Sequence, residues 1–161
     1  MDFNKLIRSA QTSRFGLWKL NFLLKRLIPF NRPHGIKIID LTANRVEVLL
    51  PMKNANLNHL KGLHACGLAT AAEFSSGFLL LSRLGIENYR LIMQSLEVEY
   101  FYQGKTDARA IYELSDEELE EERQEQGAAS PVAGRHCRRL PAVEAGVVGL
   151  VTNNCKERIT R

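Results

Sequence analysis

The chain has 161 residues, of which 45% are hydrophobic, and this is enough apolar material for one domain with its own core. The net charge of +4 is distributed unevenly, because a basic first segment contrasts with an acidic run at residues 116–125. No basic stretch is interleaved with aromatic residues. The charge pattern therefore argues against a nucleic-acid-binding protein.

Three widely spaced cysteines, Cys66, Cys137 and Cys155, fit neither a disulfide framework nor a metal-ligand spacing. The sequence also has no phosphate-binding loop and no dinucleotide fingerprint. We therefore predict a cytoplasmic protein that uses no metal and no cofactor. Cys66 as a nucleophile is the alternative to Cys66 as a small core residue, and the second interpretation is favoured.

The first segment predicts a basic amphipathic helix that ends before Pro29 and Pro33, with Gly16 as a possible break. It has no signal-peptide pattern, and the apolar stretch Leu17–Ile28 is too short and too charged to span a bilayer. Such a helix could rest on a membrane surface. We favour packing against a sheet edge or a partner subunit over membrane contact.

Strand patterns follow on both sides of one long apolar stretch. Two short β-branched runs precede a polar loop. A long strand, a hairpin turn at residues 104–107 and a further strand come after the apolar stretch. The predicted strands are Ile36–Asp40, Arg45–Leu50, Arg90–Gln103 and Ala108–Leu114.

The last third is harder to interpret. Ser115 and Glu118 have the spacing of a capping box that opens an acidic helix. Pro131 and Pro141 fit poorly in central strands, and only Gly146–Thr152 has a clear strand pattern. We predict a single domain over residues 1–161, with a helical extension at 1–34, a core at 35–114, and an acidic helix with atypical strands at 115–161.

Glu73 is the most informative residue, because it is the only ionisable carboxylate or base in the stretch from Ala65 to Ser82. A helix over this stretch ends near Leu84 and would be buried nearly all round. It carries one apolar stripe at helical spacing: Gly67, Ala71, Phe74, Phe78 and Leu81. An unpaired buried carboxylate is costly, so Glu73 must be paired, exposed in a cleft or placed for chemistry.

The order of elements predicts an α+β protein in which an antiparallel sheet wraps around one central helix. The long helix needs burial on most sides, and the strands offer one apolar face. This arrangement is the hotdog fold, here with an extra N-terminal helix.

The stretch from Asn58 to Glu73 resembles the motif of PaaI-like hotdog-fold thioesterases. That motif has an Asn, a Gly four residues later, a His-Gly-Gly at the start of the helix, and an acidic residue nine positions after the His. Asn58, Gly62, His64 and Glu73 stand at those positions. Ala65 and Cys66 replace the two glycines, and Glu73 replaces the more common Asp.

The resemblance implies hydrolysis of a fatty or aromatic acyl thioester, such as an acyl-CoA, at the interface of a homodimer or a dimer of dimers. It implies Glu73 as general base or nucleophile, Asn58 holding the water or the carbonyl, and His64 orienting the thioester. An amide at Ala65 would stabilise the developing negative charge at the helix start. Gly62, Ala65 and Cys66 would line the substrate site.

Structural roles are the alternatives for the same residues. Glu73 could form a hydrogen bond across a dimer seam, Asn58 could be an ordinary turn residue, and His64 could simply cap the helix. The alternative function from another class is a non-catalytic acyl-binding or assembly module that keeps the hotdog pocket.

Overall fold

The structure is a computed structural model that describes residues 2–86, 90–96, 98–121, 140–145, 148–152 and 155–160. The helices are α1 (Phe3–Thr12), α2 (Arg14–Leu27), α3 (Asn31–His34) and α4 (Ala65–Leu84), with a 3-10 turn at Asn54–Asn56. The strands are β1 (Lys37–Leu41), β2 (Arg45–Leu50), β3 (Arg90–Leu96), β4 (Glu99–Tyr100), β5 (Ala108–Glu113), β6 (Leu140–Ala145), β7 (Val148–Thr152) and β8 (Cys155–Thr160). Residues 116–121 are helical.

The N-terminal segment is a pair of packed helices, and the predicted break at Gly16 is wrong. The chain turns at Ser13, whose extended backbone separates α1 from α2 and whose hydroxyl accepts the Gly16 N–H. Gly16 instead lies inside α2, where a Cβ would come within 2.2 Å of the Ser9 carbonyl oxygen. The glycine is therefore needed because the two helices approach closely there.

The inner face of α2 packs at the sheet edge formed by β1. The Asn21 amide both donates to the Ile38 carbonyl and accepts from the Ile38 N–H, each at 2.8 Å. This side chain therefore occupies the hydrogen-bonding positions that a neighbouring strand would use. The arrangement agrees with the favoured prediction of packing against a sheet edge.

A six-stranded antiparallel sheet has the order β1-β2-β5-β6-β7-β4, and β3 pairs with β8 in a two-stranded sheet. The predicted long strand Arg90–Gln103 is observed as two strands, β3 and β4. The predicted hairpin at residues 104–107 is wrong, because β5 pairs with β2 and β6 rather than with β4. The connection is instead fixed to the loop before α4, through Leu63 N–H to the Gly104 carbonyl (2.8 Å) and Met52 N–H to the Asp107 carboxylate (2.7 Å).

The C-terminal strands are more regular than the sequence predicts. Pro141 lies inside β6, at the point where pairing with β7 shifts register between Leu140 and Val143. Proline is tolerated at such an irregularity because a ladder hydrogen bond is already missing there. The capping box is confirmed, since Ser115 and Glu118 exchange side-chain-to-backbone hydrogen bonds at 2.9 and 3.1 Å. The prediction for Pro131 lies outside the described residues.

Helix α4 is the central element, and it packs against β2 and β5 and, to a lesser extent, against β3 and β6. Ala71, Phe74 and Phe78 of the predicted stripe are buried, whereas Gly67 and Leu81 are partly buried. The helix ends at Leu84, and Gly85 follows with a positive φ of 95°, as expected for a glycine at that position. The predicted arrangement of an antiparallel sheet around one long helix is confirmed.

Candidate functional site

The loop before α4 is organised by Asn58. Its side-chain oxygen accepts the N–H groups of Leu60 (2.9 Å) and Gly62 (3.1 Å), and its amide group donates to the Leu63 carbonyl (3.3 Å). Backbone hydrogen bonds between Asn58 and Gly62 and between Lys61 and Asn58 close the same turn. Lys61 has a positive φ of 57°, so the turn is tight. The Asn58 oxygen is thus fully used inside the loop, while one N–H of its amide keeps donor capacity.

His64 caps the amino end of α4. Its Nδ1 accepts the Cys66 N–H at 3.1 Å, and its backbone N–H donates to the Asn56 carbonyl at 2.8 Å. The hydrogen bonds of the described residues leave the Ala65 N–H without an acceptor. His64, Ala65 and Cys66 are all exposed, so the positive end of the helix dipole faces outward at this point.

A second segment lies over this loop. The Tyr100 hydroxyl donates to the Ala65 carbonyl at 2.9 Å, and the Gln103 amide donates to the Leu60 carbonyl at 3.3 Å. A Cβ at Gly62 would come within 2.6 Å of the exposed Gln103 side chain, which would have to shift to make room for it. Burial, and secondarily the nearby Cys66 thiol, raises the pKa of the Tyr100 hydroxyl. The sequence analysis gave Tyr100 no site role, because only tertiary structure brings β4 to the helix start.

Asn56 is another residue that the sequence analysis missed. It is buried, and its amide donates to the carbonyls of His34 (2.8 Å) and Pro51 (2.7 Å), while its oxygen lies 2.8 Å from the His34 Nδ1. These contacts anchor the loop that leads to His64. The only signal in the sequence was the richness of this loop in Asn.

Glu73 lies in the middle of α4 and is partly buried. Desolvation raises the pKa of its carboxyl group above the ordinary value of 4.5. Within the described ranges no hydrogen-bond donor and no cation contacts the carboxylate. Its helical neighbours Ser76, Gly77 and Leu80 are buried, so the carboxylate is held in a largely apolar part of the helix surface.

One copy of the chain brings only part of the predicted constellation together. Asn58, Gly62, His64, Ala65 and Cys66 meet at the start of α4 through the contacts given above. Glu73 is nine residues further along the helix than His64, which corresponds to about 13 Å of rise and about two and a half turns. The two side chains therefore leave the helix in nearly opposite directions. A single helix cannot direct both at one small group.

Two further observations limit the kinds of site. Among the residues that the structure describes, no group of three His, Cys, Asp or Glu side chains is placed to hold a metal ion. Helix α4 is long and apolar enough to cross a membrane by length and composition alone, but more than half of that stretch is buried inside the protein. It is the core helix of the fold.

The fold defines a hotdog-fold protein, and comparison with solved structures agrees. The chain is similar to a Pseudomonas aeruginosa protein of unknown function described as a "Probable Thioesterase", with 22% identity and a TM-score of 0.71 over 85% of this chain and 91% of that one. It is also similar to a protein of unknown function from Chlorobaculum tepidum TLS, with 16% identity and a TM-score of 0.73 over 95% and 99%. A thioesterase from Haemophilus influenzae is 12% identical, with a TM-score of 0.67 over 94% and 95%.

These likenesses confirm the hotdog fold and the predicted resemblance to hotdog-fold thioesterases. The family model described as "Domain of unknown function (DUF4442)" matches residues 16–133, and the chain belongs to that family. Among curated proteins, no sequence matches this chain.

Proposed function

We propose that the protein is a thioesterase that hydrolyses a fatty or aromatic acyl thioester, such as an acyl-CoA, at a site shared by two copies of the chain. The observation that carries this proposal is the Glu73 carboxylate, which is partly buried, has a raised pKa and has no partner among the described residues. Such a group costs folding free energy, and it is retained most readily where it does chemistry.

In the proposed reaction, Glu73 removes a proton from water as the water oxygen attacks the thioester carbonyl carbon. Negative charge develops on the carbonyl oxygen, and the unused Ala65 N–H at the positive end of α4 is suited to stabilise it. The carbon–sulfur bond then breaks, the sulfur leaves as a thiol after taking up the proton, and the acyl group leaves as a carboxylic acid. A raised pKa favours Glu73 as the base, because a more basic carboxylate removes a proton more readily near neutral pH.

The roles that we propose for the loop residues agree with their contacts. Asn58 fixes the turn that presents His64, and its remaining N–H is available to the water or the carbonyl. His64 fixes the first turn of α4 through its bond to the Cys66 N–H, and in this proposal it orients the thioester end. Gly62, Ala65 and Cys66 line the approach to the carbonyl, with Gly62 keeping room for Gln103.

A second copy of the chain is required because His64 and Glu73 point to opposite sides of one helix. The surface next to the helix start is suited to such a contact. β4 is the terminal strand of the six-stranded sheet, and Leu60, Phe101 and Tyr102 beside it are 64%, 54% and 64% exposed. A strand edge flanked by exposed apolar side chains favours pairing with another chain. In a two-fold dimer the helix start of one copy would meet Glu73 of the other.

The decisive experiment is hydrolysis of a panel of acyl-CoA thioesters of different chain length by the wild-type protein and Glu73→Gln. Gln keeps the size of the side chain but cannot act as a base, so we expect the rate to fall about 10²–10⁴-fold. Thermal unfolding and sedimentation of both proteins check that the fold and the oligomer persist. A wild-type protein that binds acyl-CoA without hydrolysing it would instead support the non-catalytic acyl-binding module.

Mixing two inactive variants tests whether the site is shared. Glu73→Gln and His64→Ala are unfolded and refolded together in equal amounts, so that half of the dimers contain one copy of each. If the site combines residues from two copies, one of the two sites in each mixed dimer is intact, and activity returns to about a quarter of the wild-type value. If each copy holds a complete site, no activity returns. Each variant refolded alone is the control.

A further inference from the structure

The outer face of α2 carries exposed aromatic side chains that belong neither to the core nor to the proposed site. Phe15, Trp18 and Phe22 are 64%, 60% and 57% exposed, although such large aromatic side chains are usually covered. Their rings stack in sequence, with centroids 5.8 and 5.9 Å apart, so they form one continuous apolar ridge. We call this ridge and the cations beside it the aromatic face of α2.

Four exposed cations flank the ridge: Arg14, Lys19, Lys25 and Arg26. The interpretation from the sequence that no basic stretch is interleaved with aromatic residues is therefore wrong for α2. The Lys19 ammonium lies 4.4 Å from the centroid of the Phe15 ring, so at least one cation is held directly on the aromatic surface. No acidic residue occurs between Phe3 and Ile39, and the first 34 residues carry seven cations and one acid. Their net charge is thus +6, larger than the +4 of the whole chain.

Among the residues that the structure describes, the three aromatic side chains of this face are not part of the hydrophobic core. Helix α2 buries the opposite side through Gly16, Leu20 and Leu24, and that side covers the sheet edge at β1. Helix α2 therefore has two apolar sides, one facing the core and one facing outward.

We propose that the aromatic face of α2 docks on an anionic lipid membrane surface. Trp and Phe side chains suit the boundary between headgroups and acyl chains, and Lys and Arg beside them contact anionic headgroups while their stems lie along the apolar layer. The occupant is a membrane rather than a second copy of the same face, since two-fold pairing would place four cations against four cations. The protein would bind at the surface and not span the bilayer, because the opposite side of α2 stays packed on β1.

Flotation of the full chain with vesicles tests this proposal. One set of vesicles contains phosphatidylcholine alone, and the other contains phosphatidylcholine mixed with phosphatidylglycerol. Trp18 is the only tryptophan in the chain, so its fluorescence reports directly on the aromatic face. We expect flotation and a blue shift of the emission with the anionic vesicles, and both should weaken as salt concentration rises.

Matched variants locate the contact. Lys25→Gln combined with Arg26→Gln should weaken binding to anionic vesicles about 30-fold, since each cation near the surface contributes about a factor of five. Lys61→Gln combined with Lys105→Gln removes two exposed cations from the loops near the start of α4 and should change binding less than about twofold. Phe22→Ser, which keeps the Trp18 reporter, should weaken it about tenfold.

Several outcomes would overturn the proposal. It fails if the wild-type protein does not float, or if it floats equally with neutral vesicles. It also fails if the Lys25 and Arg26 changes weaken binding no more than the Lys61 and Lys105 changes do. A blue shift of Trp18 without vesicles, with concentration-dependent association that Phe22→Ser abolishes, would instead identify the face as a contact between copies. Glu73→Gln should bind vesicles like the wild type, so the membrane proposal and the thioesterase proposal fail independently.

Discussion

The start of α4 and its middle are nine residues apart on one helix. Polar side chains are hydrogen-bonded at the start, whereas the carboxylate in the middle has no partner among the described residues. At the start, Asn58 and His64 hold the backbone through hydrogen bonds of 2.9 to 3.3 Å. In the middle, Glu73 is partly buried, and none of the described residues pairs with its carboxylate. The first region determines the shape of the loop, whereas the second keeps a partly buried carboxyl group whose charged form is disfavoured by desolvation.

The comparison distinguishes two roles that a polar residue in a motif can have. A side chain whose hydrogen-bonding groups are used within the protein mainly fixes geometry, and its removal should unfold the loop. A side chain that lacks partners mainly serves chemistry, and its removal should leave the fold intact or more stable. Stability and activity should therefore respond differently to changes in the two regions.

The largest effect on stability is expected for Asn58→Ala. The change leaves the Leu60 and Gly62 N–H groups without their acceptor, and we expect a loss of about 2 kcal/mol in the free energy of unfolding. For a chain of this size the loss corresponds to a fall of about 4–8 °C in Tm, measured by calorimetry.

Asn54→Ala is the control for Asn58→Ala, since the Asn54 side chain is exposed and makes no hydrogen bond within the described part of the chain. We expect a change within about 0.5 kcal/mol. An equal loss for both variants would contradict the special role of Asn58 in the loop.

Glu73→Gln should act in the other direction. Because burial raises the pKa of Glu73 in the folded protein, the folded state binds the proton more tightly than the unfolded state. The wild type therefore loses stability as pH rises from the ordinary value of 4.5 through the raised pKa, whereas the variant does not. At neutral pH we expect Glu73→Gln to be more stable by about 0.5–2 kcal/mol.

Denaturant unfolding at a series of pH values measures this difference. The stabilisation should be present near pH 7 and should disappear at pH values below the ordinary pKa of glutamic acid, where both side chains are neutral. A variant that is less stable than the wild type near neutral pH would show that Glu73 has a stabilising partner.

A smaller loss of stability than for Asn58→Ala is expected for His64→Ala. Loss of the cap leaves the Cys66 N–H without its acceptor and should cost about 1 kcal/mol of unfolding free energy. His59→Ala is the matched control, because His59 is exposed in the same loop and has no hydrogen bond to another described residue. His64→Ala should also slow thioester hydrolysis while His59→Ala does not, and equal effects in both assays would remove His64 from the site.

Local patterns in the sequence predicted much of the fold. The alternation in Arg45–Leu50 predicted β2 with its bounds, and the apolar stretch ended by Gly85 predicted α4. These predictions succeed because helix and strand periods and caps act over a few residues. The break was predicted at Gly16 instead of Ser13, because a serine that caps a helix and a glycine three residues later both indicate a helix boundary.

The pairing of the strands could not be predicted from the sequence. The turn at 104–107 had a hairpin signal, yet β5 lies between β2 and β6, because residues 101–107 bond to the loop before α4 instead of turning back on β4. Which strands pair depends on contacts between distant segments, and turn residues alone do not specify them.

For the site, the sequence by itself determined which residue types stand at the start and in the middle of α4, and that Glu73 has no charged neighbour along the helix. Only the tertiary structure decided that Asn58 and His64 are bound into the loop, that Tyr100 reaches Ala65, and that the outer aromatics of α2 stay uncovered. The physical reason is that spacing along a chain fixes the direction of a side chain from its helix, while partners and burial depend on what other segments bring beside it.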